Sequence, residues 1–204
     1  MRFTMYKYPE PLSKLIHYLK KLPGVGVRTA ERFAFQMLEW ENKSLEELGS
    51  LLSVLQQELT SCTECGALKE KKSSCSFCDP YKRDMHVLCI IPFMKDLYAM
   101  EKNGFYKGTY HVLGSLLSPL EKQGEKEVNL QHLLSRIQRL QVQEIILAFD
   151  STLESDATAL YLREKLQPTH SKISRLAFGL PLGSPLEHVD ASTLMRAFSG
   201  RLSF

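Results

Sequence analysis

The sequence predicts a multi-part α/β protein: a helical N-terminal region, a small cysteine-rich module, and a C-terminal α/β domain with a mainly parallel sheet. Three observations carry that prediction. Apolar residues recur at helical spacing through most of the first 60 positions. Four cysteines then fall in two Cys-x-x-Cys pairs between residues 62 and 78. From residue 86 onward, short apolar runs alternate with helical patterns. The boundaries implied are 1–60, 61–84, 85–180 and a C-terminal segment, 181–204, with its own short helix.

Bulk composition is that of a soluble globular protein, with 44% hydrophobic and 24% charged residues in a chain of 204. The start, MRFTMYKYPEP, is polar and reaches proline at once, so no signal-peptide core is expected. No apolar run approaches the roughly 18 to 20 residues that span a bilayer. A cytoplasmic location without membrane contact is the expectation, and there thiols stay reduced.

In the N-terminal region, Leu12, Leu15, Ile16, Leu19 and Leu22 mark a first helix. Pro23-Gly24-Val25-Gly26 breaks it, and Val27, Ala30, Phe33, Ala34, Met37 and Leu38 begin a second. Gly24 and Gly26 allow unusual backbone angles and leave no side chain to block close approach. Amides at the start of the second helix then point outward on the positive end of its dipole, which makes an anion site. This turn looks like the helix-hairpin-helix motif, which grips a DNA backbone without reading sequence. Local charge agrees: Arg2, Lys7, Lys14, Lys20, Lys21, Arg28 and Arg32 against Glu10 and Glu31 give +5, in a chain of net +3. An ordinary helical hairpin with solvated lysines is the plainer alternative. A third helix follows, with a capping-box start at Ser44 and Glu47 and an apolar stripe of Leu45, Leu48, Leu52, Leu55 and Leu59, expected as core.

Cys62, Cys65, Cys75 and Cys78 come next, with nine residues between the pairs. In a reducing compartment such knuckles read as tetrahedral Zn²⁺ ligands rather than disulfides, and a lone redox Cys-x-x-Cys would not be doubled at so short a spacing. Four thiolates leave no open position, so the zinc is expected to be structural. Cys89, inside the apolar run HVLCII, reads as a small buried hydrophobe.

In the C-terminal region, HVLCII, TYHVL, EIILAFD and KISRLAF read as strands. MKDLYAMEKNG, the stretch from Asn129 through Ile137, STLESDATALYLREKL and STLMRAF read as helices. Ligands of such sheets sit at the carboxyl ends of the strands. Asp150, Glu154 and Asp156 are therefore expected to converge there, as a site for Mg²⁺ or as solvated acids at a helix start.

The combination of helix-hairpin-helix, four-cysteine module and an α/β unit with KGTYHVLGSLLSPL, STLESDATALYL and FGLPLG resembles the RecR family of bacterial recombination mediators, over nearly the whole chain. The resemblance implies a Toprim-like α/β domain and a non-catalytic role. Where catalytic Toprim proteins carry a first-strand glutamate, this chain has Pro92 or Phe93; Thr152 stands at the second acid of the later motif. Only part of a Mg²⁺ cage is left. The resemblance further implies DNA, RecO and RecF as partners, promotion of RecA loading, and ring-like homotetramers acting at the nucleoid. It places Arg28 and Arg32 on DNA, while Lys21 is nominated by charge alone. Glu154 and Asp156 match the family's E-G-E-A-T-A stretch, implicated in RecO binding, with Ser155 in place of glycine. No Gly-x-x-x-x-Gly-Lys-Ser/Thr loop is present, so ATPase activity is not expected. A Mg²⁺-dependent Toprim enzyme and a protein-only adaptor are the two alternatives.

Overall fold

A computed structural model describes residues 8–118 and 129–201. Arg2 and Lys7 of the basic segment, and the Pro119-Leu120 end of KGTYHVLGSLLSPL, lie outside them. The chain forms two compact units, Met1–Gln57 and Glu58–Phe204.

The first unit holds three helices: α1 (Glu10–Leu19), α2 (Val27–Leu38) and α3 (Asn42–Glu58). Proline residues at 9 and 11 suit the opening turn of α1, where an amide has no intrahelical partner to lose. Ile16 of α1 packs on Ala30 and Ala34 of α2, ringed by Leu12, Leu15, Leu19 and Val25. Two alanines let the helices approach closely, but they bury little area. The expected core role of the α3 stripe is not found. α3 starts at Asn42 rather than Ser44 and contributes no buried residue; Leu52 is 64% exposed and Leu55 50%. The apolar period is real, yet among the described residues nothing buries it.

The second unit begins with a two-stranded antiparallel hairpin, β1 (Leu59–Ser61) and β2 (Leu68–Glu70), which the sequence pattern did not suggest because each strand is three residues long. It holds the first knuckle. The α/β layer follows: β3 (Asp84–Ile91), α4 (Met94–Glu101), β4 (Gly108–Val112), α5 (Leu130–Leu140), β5 (Glu144–Leu147), α6 (Leu153–Leu166), β6 (Lys172–Arg175) and α7 (Ala191–Ser199). The four-stranded sheet has the order β4-β3-β5-β6 and is parallel throughout. Caps set the helix starts: Asn129 accepts from the His132 amide, Thr152 from Ser155, and Asp190 from Ser192 and Thr193.

Strand alternation sorts the core into two layers. Leu88, Ile90, Ile145 and Leu147 pack with Leu133 and Ile137 of α5 and with Leu162 and Leu166 of α6. Cys89, Ile91 and Ile146 face the other way, with Leu97 of α4 and the cysteine module. Cys89 is fully buried, and burial pushes its thiol up to about 12, as an inert hydrophobe requires. β5 and β6 are shorter than expected. After Leu147 and Arg175 the chain leaves the ladder, and Phe149, Asp150 and Leu176 turn into a cavity at the strand ends.

Candidate nucleic-acid interface and metal centre

The α1–α2 turn is closed by backbone bonds, Leu22 N–H to Leu19 O and Val25 N–H to Leu22 O, both at 3.1 Å. Gly24 sits at φ +78°, a left-handed angle that a side chain disfavours. Gly26 is different. Its backbone is ordinary (φ −78°, ψ 174°), and a Cβ there would meet nothing within 4 Å. Only Gly24 is needed by the fold; Gly26 leaves open space in front of α2. No side chain caps α2, and its intrahelical ladder starts with Ala30 N–H to Gly26 O at 2.9 Å. The amides of Val27, Arg28 and Thr29 therefore have no helical acceptor and point toward that space. Lys21, Arg28 and Arg32 are exposed. Among the described residues the only ion pair of this unit is Lys14–Glu10, so these three cations are uncompensated. Lys21 lies over the Tyr18 ring at 4.7 Å and Arg32 over Phe33 at 5.6 Å.

In the second unit the Sγ atoms of Cys62, Cys65, Cys75 and Cys78 all lie within 4.8 Å of one another, with Cys65 and Cys75 at 3.6 Å. A tetrahedral ion with bonds of about 2.3 Å spaces its sulfurs by about 3.8 Å, so the donor set fits one metal ion. Local chemistry builds each knuckle. Gly66 N–H donates to Cys62 O and Cys62 N–H to Ala67 O, while Ala67 N–H reaches the Cys65 sulfur at 3.4 Å. Gly66 takes φ +76°, and a Cβ there would meet Val112 at 3.0 Å. The close approach lets Val112 N–H of the edge strand β4 donate to Cys65 O at 2.8 Å. Phe77 of the second knuckle packs edge-on against Tyr110, under the Arg83 guanidinium, which Glu101 holds at 2.7 and 2.8 Å. The Cys75 thiol is pushed up to about 11, by burial first and then by the Cys65 charge. Neighbouring thiolates resist ionising without a cation between them.

The acids of the third region do not converge as expected. Among the described residues the four cysteines are the only cluster of three or more ligand side chains, and Asp150, Glu154 and Asp156 form no cage. Asp150 ends the stretch after β5 and accepts from the Ser155 hydroxyl and then from Thr152 (3.1 Å), which hold its carboxyl below the usual range. Thr152, at the place of an acid, is the cap of α6. Glu154 is exposed. Asp156 is clamped by Arg175 at 2.6 Å and Arg196 at 2.9 Å, and both guanidiniums stack on Phe178, at 4.7 and 4.8 Å. The clamp ties α6, β6 and α7 together. At the carboxyl end of β3, Pro92 and Phe93 line a cavity of about 350 Å³ with Lys95, Phe149, Asp150 and Leu176, so apolar groups occupy the place of a first-strand glutamate.

Sequence reasoning missed four arginines. Arg175 and Arg196 hold Asp156. Arg136 and Arg139, on α5, contact the two knuckles: Arg139 pairs with Glu64, and Arg136 reaches Cys78. Arg136 carried a signal, since it lies between Leu133 and Ile137 on the buried face of α5.

Comparisons with known proteins agree along the chain. Residues 12–55 match the family model described as RecR, helix-hairpin-helix; residues 86–177 match the Toprim domain; residues 179–202 match RecR, C-terminal. A relative from Protochlamydia amoebophila (strain UWE25), named recombination protein RecR, is 48% identical over 198 residues, covering 97% of this chain and all of the relative. Proteins of the same name from Chlamydia pneumoniae and Chlamydia muridarum are 48% and 44% identical, each over 98% of this chain and all of the relative.

Proposed function

The chain belongs to the RecR family, and on that footing we propose that it is a non-enzymatic mediator of DNA recombination and repair, binding the DNA backbone through the α1–α2 turn. One observation carries this reading. The uncapped start of α2, the open space before Gly26 and the uncompensated Arg28 and Arg32 together offer amides and cations to an anion, as a phosphate requires. Lys21 adds charge beside them. A single patch of this size binds weakly, and a ring-like tetramer would join several patches into one site of high effective concentration. The exposed apolar stripe of α3 supports assembly with other copies.

Cys62, Cys65, Cys75 and Cys78 would hold Zn²⁺, which cross-links two knuckles and has no open position for chemistry. Pro92, Phe93 and Thr152 in place of acids support a role without phosphoryl transfer. RecO, and RecF beside it, are the proposed partners, with loading of RecA on gapped DNA the outcome. Of the acidic stretch, exposed Glu154 is the group free to meet a basic partner surface, and Asp150 stands beside it. Asp156 serves that surface by holding its shape. Among the described residues no helix is long and apolar enough to cross a membrane.

The test is DNA binding across a salt series, wild type beside an Arg28→Glu, Arg32→Glu variant. Log affinity falls linearly with log salt, by about 0.9 per phosphate contacted on a duplex and about 0.7 on a single strand. Wild-type binding with a steep slope, lost in the variant, is expected. A variant with the wild-type affinity and slope would refute the placement of DNA on this turn.

A further inference from the structure

Arg136 is 2% exposed and is the largest fully buried side chain among the described residues. A buried guanidinium needs a counter-charge, because transferring an unpaired ion out of water costs several kcal/mol. Among the described residues no carboxylate pairs with it. Its Nη1 donates to Tyr110 O at 2.5 Å and faces the Nδ1 of His111 at 3.4 Å. His111 is a neutral partner: burial, and then the Arg136 charge, pull its pKa down to about 3. The remaining contact of the guanidinium is Nη2 to the Cys78 sulfur, at 3.7 Å.

Four thiolates around one divalent ion carry a net charge of −2 by simple addition. We infer that Arg136 is the internal counter-charge of the metal centre, donating to the Cys78 thiolate and so locking the second knuckle to α5 when the ion is bound. One turn along the same helix, Arg139 grips Glu64 between the two cysteines of the first knuckle. Spacing of three residues puts both arginines on one face of α5, so a single rigid helix holds both halves of the centre. Arg136 also closes the edge of the sheet, since Tyr110 O belongs to the edge strand β4. Metal binding and folding of the α/β layer are thereby coupled: without the ion, the guanidinium keeps its hydrogen bond to Tyr110 O and the through-space attraction of Glu64, with no ion pair of its own.

The inference rests on the four-cysteine reading and is tested so that the two can fail separately. Full-length wild type is compared with Arg136→Met and Arg136→Gln, which remove the charge, and Arg136→Lys, which keeps it. Metal content is measured first; Zn²⁺ affinity then follows from chelator competition, and melting is recorded with Zn²⁺ and after its removal. Loss of an outer contact to a metal ligand lowers affinity by about 10- to 100-fold. That loss is expected in both neutral variants, with Arg136→Lys recovering much of it.

The distinguishing result is in the metal-free proteins. There the neutral variants should melt at or above wild type, because a buried cation without an ion-pair partner is gone, while with Zn²⁺ they should melt below it. A merely structural arginine would lower both melts alike, and that pattern, or wild-type affinity in the neutral variants, overturns the inference. Should neither neutral variant fold, Co²⁺ replaces Zn²⁺ in wild type and Arg136→Lys. A shifted sulfur-to-cobalt charge-transfer band supports the contact to Cys78, and an identical band overturns it. Wild type that binds no metal would instead sink the four-cysteine reading, and the inference with it.

Discussion

Asp156→Asn should detach the C-terminal helix from the α/β layer. The carboxylate accepts from Arg196 and Arg175 through separate oxygens, and the two guanidiniums flank Phe178. Asp156, Arg175 and Arg196 have side chains 30%, 25% and 32% exposed, between the surface pairs worth up to about 1 kcal/mol and the buried ones costing about 3 to 5 kcal/mol to break. Two such contacts on one acid, discounted for solvent, give about 2 to 3 kcal/mol. Removing the charge also leaves two cations facing each other. α7 contributes no buried side chain of its own, so little else described secures it. For a unit of this size each kcal/mol moves the melting temperature by about 2 to 4 °C, so a fall of about 4 to 12 °C is expected. The pH dependence has a definite sign. The hydrogen bond from Arg196, then that from Arg175, hold the Asp156 carboxyl below its ordinary value. Its contribution is fully present above the unfolded value near pH 4 (about 3.9) and is lost as pH falls through the lower folded value. Denaturant melts of wild type and variant should therefore differ most at neutral pH and converge in acid, and limited proteolysis should cut residues 179–201 faster in the variant. A variant melting within about 1 °C of wild type at pH 7, with unchanged proteolysis, would refute the clamp.

The two glycines of the α1–α2 turn should separate fold from function. Gly24→Ala, at φ +78°, should cost about 1 kcal/mol, read as a lower melting temperature of the N-terminal unit. Gly26→Ala has an ordinary backbone and open space, so it should lose only the modest N-cap preference of glycine over alanine and keep a folded unit, while DNA affinity falls as the Cβ enters the phosphate approach. Cys75→Ser should lose bound metal and with it most of the roughly 10 to 16 kcal/mol that a structural zinc site contributes, seen as zero zinc content and loss of the cooperative melt; retained zinc with unchanged melting would contradict the cross-link.

Much of this protein can be read from short-range pattern. Metal knuckles need two donors three residues apart, so Cys62, Cys65, Cys75 and Cys78 were visible as a set. The break at Pro23–Gly26, the Asn129 cap and the parallel strands beginning near His86 are local in the same sense, because steric and hydrogen-bond preferences act over a few residues. The period of the α3 leucines was legible too, but a period states which residues share a face and not what covers it. β6 ended early because β5 ends at Leu147, opposite Arg175, so that Leu176 N–H makes the last bond, to Leu147 O.

Charge pairing lies beyond such patterns. Asp156 looked like a free acid, yet its partners stand 19 and 40 residues further along the chain. Arg136 sits on the apolar face of α5 by its spacing, while the sulfur it faces is 58 residues away. Composition and spacing decide which groups a segment carries and how it curls. Which opposite charge meets them depends on where distant segments cross, and the cost of burying an unpaired ion makes that crossing decide their roles.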